Sequence, residues 1–263
     1  MSRRDSRAAR LAVPAALLLA SLGYPTATAG TMNACVIPIT HRAVHGPLYD
    51  EETLGAIRTT ATYGPAEIDV HVTADSKLVV IHDANVKRTT NGQGMVHEMT
   101  LDQIQALRTT KTWSTIPTLA QAVHAAIRQH SRLVVELKRH DEWTPELFTY
   151  AANLSRRAAA HHVRVFLGGM YAGFERDIPA YGAESIYWRP GLSVAPTPEN
   201  AAAVEADMVM TGVDRITAAQ VTALEQAGYI TALRLTNDFV AARQLGVKYA
   251  LTNHPNLASM ACT

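Results

Sequence analysis

The chain predicts an α/β fold, an irregular (β/α)8 TIM barrel, on three observations. From Pro117 onward, apolar runs of strand character alternate with runs of helical period, the pattern of a parallel sheet covered by helices. Nine strand-like runs occur in all, and two of them lie too close together for a helical crossover, so they count as one of eight staves. The length of 263 residues suits one barrel, and 48% hydrophobic against 18% charged residues supplies a large core and excludes a disordered chain.

Residues 1–29 stand apart from this fold. Arg3, Arg4, Arg7 and Arg10 precede an apolar run from Leu11 to Leu22, and Ala27-Thr28-Ala29 offers a small-x-small cleavage site. Together these describe a secretory signal, leaving residues 30–263 as the barrel domain of an exported protein. The apolar run is too short to span a bilayer, so no stable membrane insertion is expected. Losing four arginines and one aspartate takes the formal net charge from +1 to −2. A near-neutral surface excludes nucleic acid as an electrostatic partner. The two cysteines, Cys35 and Cys262, lie near the two ends of the mature chain. In a closed barrel the first and last strands are neighbours, and an isolated pair in an exported chain is expected to form a disulfide.

In chain order, ACVIPIT is a first strand ending at His41-Arg42, and EETLGAIRTTATYG carries Leu54, Ile57 and Ala61 at helical spacing. AEIDVHV and KLVVIHD follow, joined by Thr-Ala-Asp-Ser. Residues 84–115 read as a polar excursion over the site with one short helix at Leu101–Leu107. Then come helix TLAQAVHAAIRQH, strand RLVVELK, helix TPELFTYAANLSRRAAAHH with Pro145 near its start, and strand VRVFLGG. A helix near 171–180, strand SIYW, a loop rich in Pro and Ser, and strand ADMVM continue the rhythm. Helix ITAAQVTALEQAG, strand YITALRL, helix DFVAARQLG and strand VKYALT complete it, with Gly228 and Gly246 ending the two helices.

The chemistry-bearing residues fall on those strands. Glu67 and Asp69 are two apart, so both leave one face of their strand and can share a cation. His71 shares that face as a lining residue. His82-Asp83 ends the next run, and Glu136 and Lys138 share the face opposite Leu133, Val135 and Leu137. In a (β/α)8 barrel, side chains at the C-terminal ends of several strands converge on one mouth. Two imidazoles, three carboxylates and two cations at that mouth are parts suited to splitting a phosphodiester.

The ordered run HRA…DEETLGAI…AEIDVHVTADSKLVVIHDANVKRTTNGQGMV…MTLDQIQAL…IPTLAQAV…LVVELK…GVKYALTNHP resembles the glycerophosphodiester phosphodiesterase family, relatives of phosphatidylinositol-specific phospholipase C. The resemblance implies a phospholipase-C-like TIM barrel, a divalent cation and hydrolysis of small-molecule glycerophosphodiesters to glycerol 3-phosphate and an alcohol. It places the catalytic histidines on His41 and His82, the metal ligands on Glu67, Asp69 and Glu136, and phosphate contacts on Arg42 and Lys138. An all-carboxylate site selects a hard ion, Ca2+ or Mg2+, and leaves both imidazoles free to move protons. General acid–base catalysis gives only about 10²–10⁴-fold, so charge stabilisation must supply the rest. The sequence leaves open which histidine is acid and which base, whether a cyclic intermediate forms, and the oligomeric state.

Three positions depart from the family. Its His-Arg-Gly is His41-Arg42-Ala43, its Pro-Glu-Asn-Thr is Asp50-Glu51-Glu52-Thr53, and its Trp-Thr-x-Asn is Arg234-Leu235-Thr236-Asn237. Arg234 is therefore either a residue of a changed pocket that favours a substrate with extra negative charge, or a guanidinium paired with a local carboxylate. Two rivals remain at this stage. A phospholipase D or sphingomyelinase D-like enzyme would want an apolar or aromatic rim, against which the 6% aromatic content speaks. A catalytically silent binding barrel would require Ala43 and Glu52 to have disabled the site.

Overall fold

The computed structural model describes residues 35–188 and 194–261. The proposed signal of residues 1–29 lies outside them. Nine strands form one sheet: β1 (Ile37–Thr40), β2 (Ala66–Val72), β3 (Leu78–Val80), β4 (Leu133–Leu137), β5 (Val165–Gly168), β6 (Glu184–Trp188), β7 (Met208–Thr211), β8 (Ile230–Leu233) and β9 (Tyr249–Thr252). Eight of them run parallel and close on themselves, β1 pairing with β9 on one side and β2 on the other. The ninth, β3, is antiparallel to the upper end of β2, Val70 opposite Val80 and Val72 opposite Leu78. The two close runs are thus one hairpin-like stave, as expected.

Period-two alternation fixes what faces inward. On β2 and β4 the residues Ile68, Val70, Val135 and Leu137 join the outer core under the helices. Their alternates Glu67, Asp69 and Glu136 point into the barrel, with Asp69 directly opposite Glu136 in the register. Lower layers of the interior are apolar, built by Ile39, Val134, Phe166, Met208 and Leu251. The acids therefore sit above a packed floor, at the C-terminal mouth.

The barrel is split at its upper end between β1 and β2, which pair only at Thr40 and Ala66. The loop after β1 fills the split: Ala43 N–H donates to Glu67 O at 2.9 Å, and Glu52 Oε1 accepts from Asp69 N–H at 3.2 Å. Three residues of that loop, Arg42, Ala43 and Glu52, take the left-handed backbone, φ 56°, 58° and 63°. Ala43, where the resemblance leads one to expect a glycine, carries a side chain that is fully buried in that conformation.

Helices α1 (Leu54–Thr60), α2 (Leu101–Ala106), α3 (Leu119–Arg128), α4 (Pro145–Ala160) and α5 (Phe174–Ala180) follow in the first half. The excursion is built as read, with α2 as its short helix and a small core of its own: Val79, Ile81, Val86, Val96, Ile104 and Ile116. One element differs. The Pro/Ser-rich loop after β6 contains a helix, α6 (Pro198–Ala203), whose start is set by Thr197 capping Asn200 N–H and by Pro198 in the first turn. α7 (Ala218–Gln226) and α8 (Phe239–Leu245) complete the outer layer, α8 ending at Gly246 with φ 82°. Cys35 is disulfide-bonded, and Cys262 lies outside the described residues.

Candidate active site

His41 follows β1, where its backbone N–H donates to Thr252 O of β9 at 2.9 Å. Its ring Nδ1–H donates to Asn253 Oδ1 at 2.8 Å, which leaves Nε2 bare. Burial brings this imidazole down to about 4, so it is neutral at ordinary pH.

His82 stands just past β3 in a different setting. Its Nδ1–H donates to Asp83 Oδ1 at 2.6 Å, and its Nε2 accepts from Arg42 Nη2 at 2.7 Å. Arg88 holds Asp83 in turn, through Nε at 2.5 Å and Nη2 at 3.1 Å. The same guanidinium reaches Glu51 Oε1 at 2.5 Å, and Glu51 lies 3.5 Å from Arg42 Nη1. Arg42, Glu51, Arg88, Asp83 and His82 thereby form a closed ring of charge-assisted contacts. The Arg88 bond, with burial opposing and His82 adding, takes Asp83 down to about 2.

Glu67, Asp69 and Glu136 offer oxygens that all lie within 4.8 Å of one another. Glu67 and Asp69 are fully buried, and Glu67 Oε1 and Asp69 Oδ2 have no hydrogen-bond partner. Such orphaned carboxylate oxygens are costly unless a cation meets them, so the donor set fits a hard divalent ion. Lys138 Nζ supplies part of the charge, 2.6 Å from Asp69 and 2.8 Å from Glu136. Burial works against that ammonium, yet the two acids raise its pKa above the usual lysine value.

The acids are tuned against each other. Burial, with the Asp69 and Glu136 charges, raises Glu67. Burial also raises Glu136, while Lys138 and, more weakly, Arg234 pull the other way. Burial would raise Asp69 as well, but the Lys138 ammonium holds it low. Glu52 is buried beside them and is raised by burial and by the Asp69 and Glu67 charges, while its carboxyl oxygens accept from Asp69 N–H.

The structure brings His41, Arg42, Glu67, Asp69, His82, Glu136 and Lys138 to one mouth. Lys138 leans on the acids, and Arg42 is committed to His82 while its backbone N–H donates to Glu67 Oε2 at 2.9 Å. His71 is a buried lining residue, its Nε2–H donating to His82 O at 3.1 Å. Sequence reasoning passed over the Glu51–Arg88 pair and did not foresee that Asn253 holds the His41 ring. Arg88 stands in the quoted run ANVKRTTNG, but nothing local to it says that it reaches Glu51.

The resemblance is borne out over residues 41–168, which match the model of the glycerophosphoryl diester phosphodiesterase family. Glycerophosphodiester phosphodiesterase 1 of Bos taurus is 35% identical over 100 residues, 34% of this chain and 30% of the bovine protein. The glycerophosphodiester phosphodiesterase of Caldanaerobacter subterraneus is 46% identical over 59 residues, 22% of this chain and 24% of that protein. The chain spans less than half the length of the curated relatives it matches. Among solved structures, a phosphodiesterase of Oleispira antarctica in complex with the product sn-glycerol-3-phosphate superposes with a TM-score of 0.70 at 20% identity, covering 86% of this chain and 96% of that one. Identity that low speaks for the shared fold alone.

Proposed function

We propose, on the premise that residues 41–168 match the glycerophosphoryl diester phosphodiesterase family, that the chain hydrolyses glycerophosphodiesters to glycerol 3-phosphate and an alcohol. The observation that carries this reading is the convergence of three buried acids within 4.8 Å below two differently held histidines. Glu67, Asp69 and Glu136 would hold a divalent cation, Ca2+ or Mg2+, which when bound supplies Lewis-acid stabilisation of the phosphoryl charge. Arg42 and Lys138 add fixed positive charge beside it.

The two imidazoles divide the proton work. His41, neutral and with a bare Nε2, takes a proton from the attacking hydroxyl. His82 has its Nδ1–H held by the Asp83 carboxylate, and its Nε2, which accepts from Arg42 in this structure, is the atom that would carry a proton to the leaving alkoxide once Arg42 turns to the phosphate. Ala43 and Glu52 leave all five groups in place, which favours an enzyme over a silent barrel.

His41→Ala should lower glycerophosphocholine turnover by about 10²–10⁴-fold, and His82→Ala by a similar factor. A diester with a nitrophenolate leaving group needs no protonation, so on it His82→Ala should recover most of its activity while His41→Ala stays impaired. Equal losses of both variants on both substrates would sink this division of labour. Chelator should abolish turnover, with Ca2+ or Mg2+ restoring it.

The same reading includes export: residues 1–29 as a removed signal, residues 30–263 as the exported barrel, and Cys35–Cys262 as the disulfide. Sequencing the N-terminus of the exported protein checks the first of these.

A further inference from the structure

Most arginines of the described residues are engaged. Arg88 holds Glu51 and Asp83, Arg139 holds Glu142, Arg164 holds Glu184, and Arg132 donates to the Tyr249 hydroxyl at 2.7 Å. Among the described residues, the guanidiniums of Arg58, Arg128 and Arg157 have neither a hydrogen bond nor an ion pair. All three line a single groove of about 500 Å³ between α1, α3 and α4.

Each of these arginines stands in the last turn of its helix, where a cation meets the negative end of the helix dipole. That accounts for one cation per helix. It does not account for three of them facing the same groove, because like charges gathered there repel. The surroundings do nothing to offset the charge. No carboxylate is among the residues that line the groove, and the only acid on the three helices is Glu146. Glu146 opens α4 and lies about 16 Å along the helix from Arg157. The whole chain, by contrast, is nearly balanced, with 24 lysines and arginines against 23 acids.

The groove lies on the outer face of the helical layer, apart from the barrel mouth. The opposite faces of the same helices, with Ile57, Val123 and Ala151, pack into the core. Along α3, Gln121, His124 and Arg128 follow at spacings of three and four and form one polar stripe, while Leu54 of α1 adds apolar surface to the lining. The volume is that of a small-molecule site. Guanidinium forks grip phosphate oxygens in pairs, and three of them call for more negative charge than one carboxylate carries. A protein contact would want roughly 800 Å² per partner with an apolar centre, whereas the centre of this face is charged.

We propose that the groove binds a small phosphorylated organic anion with two or more negative charges, its phosphate oxygens met by Arg58, Arg128 and Arg157. The site is separate from the seven groups at the mouth and does not depend on the proposed hydrolysis.

Calorimetric titration of the full chain with adenosine diphosphate, two linked phosphates on a compact body, tests this. The diphosphate should bind, and adenosine alone should not. Arg58→Gln and Arg128→Gln should each weaken binding roughly tenfold or more, the scale of one charge-assisted hydrogen bond, with glycerophosphocholine turnover unchanged. Arg215→Gln removes an exposed cation elsewhere and should leave binding as it was, which separates the groove from net charge. Binding that survives Arg58→Gln and Arg128→Gln but is lost in Arg42→Gln places the diphosphate in the barrel mouth and overturns the proposal. Equal binding of adenosine, or no binding of the diphosphate at millimolar concentration, overturns it too. If Arg128→Gln instead dissociates an associated chain in sedimentation and leaves diphosphate binding alone, the groove is a contact between copies and the proposal falls.

Discussion

Arg88 touches no reacting atom in the proposed chemistry, yet two of the chemistry-bearing loops depend on it. Its guanidinium joins Asp83, which fixes the His82 ring, to Glu51 in the loop that carries Arg42. Replacing it with glutamine removes the charge that keeps Asp83 ionised and the fork that spaces the two loops. Misplacement of about 1 Å costs on the order of 10²-fold in rate, so Arg88→Gln should lower kcat by roughly that factor with KM and melting temperature little changed. Arg88→Lys should rescue only part of the loss, because a single ammonium cannot span both carboxylates in a planar fork. Steady-state kinetics alongside a thermal melt checks this, and a loss confined to stability would reduce Arg88 to scaffolding.

At the scale of the element, the gap between β1 and β2 leaves the Asp69 N–H without a strand partner, and Glu52 fills that role at 3.2 Å. An acid whose folded pKa is raised loses its proton first in the unfolded chain, so stability falls as pH climbs past the unfolded value of about 4.5. Glu52→Gln keeps an oxygen for the Asp69 N–H and has no proton to lose. In chelator the variant should melt above wild type at neutral pH, with the difference shrinking as pH falls toward about 4.5. A difference constant with pH would mean that Glu52 is not the group carrying the burden. The gap itself could not be read from the chain. Strands β2 and β4 could, because a one-residue slip would turn Glu67, Asp69 and Glu136 into the helical layer and Ile68 and Val135 into the mouth. Eight residues between Asp69 and Leu78 likewise ruled out a crossover. Contacts such as His41–Asn253, 212 residues apart, and Arg88–Glu51, 37 apart, depend on where loops come to rest, and no local period encodes them. Helix α6 escaped for another reason: in six residues with Ala201 alone buried, an amphipathic pattern has no room to appear.

Across the whole molecule, apolar packing is divided. The barrel interior and its helical jacket hold most of the buried side chains, while the excursion of residues 84–115 encloses a satellite core around Val86, Val96 and Ile104. A small core with few strand bonds opens before a closed sheet does. Amide exchange across residues 84–115 should therefore be faster than in β4 and β5, and Val96→Ala should accelerate it there while leaving the strands protected. Uniform protection across both would make the excursion an integral part of the barrel's cooperative unit. The seven convergent groups all come from residues 41–138, and Asn253 after β9 reaches back to hold the His41 ring, so the far arc of the ring serves the mouth by closing the circle and by that one bond. The family match accordingly covers residues 41–168, while the shape is shared with the Oleispira antarctica phosphodiesterase over 86% of the chain.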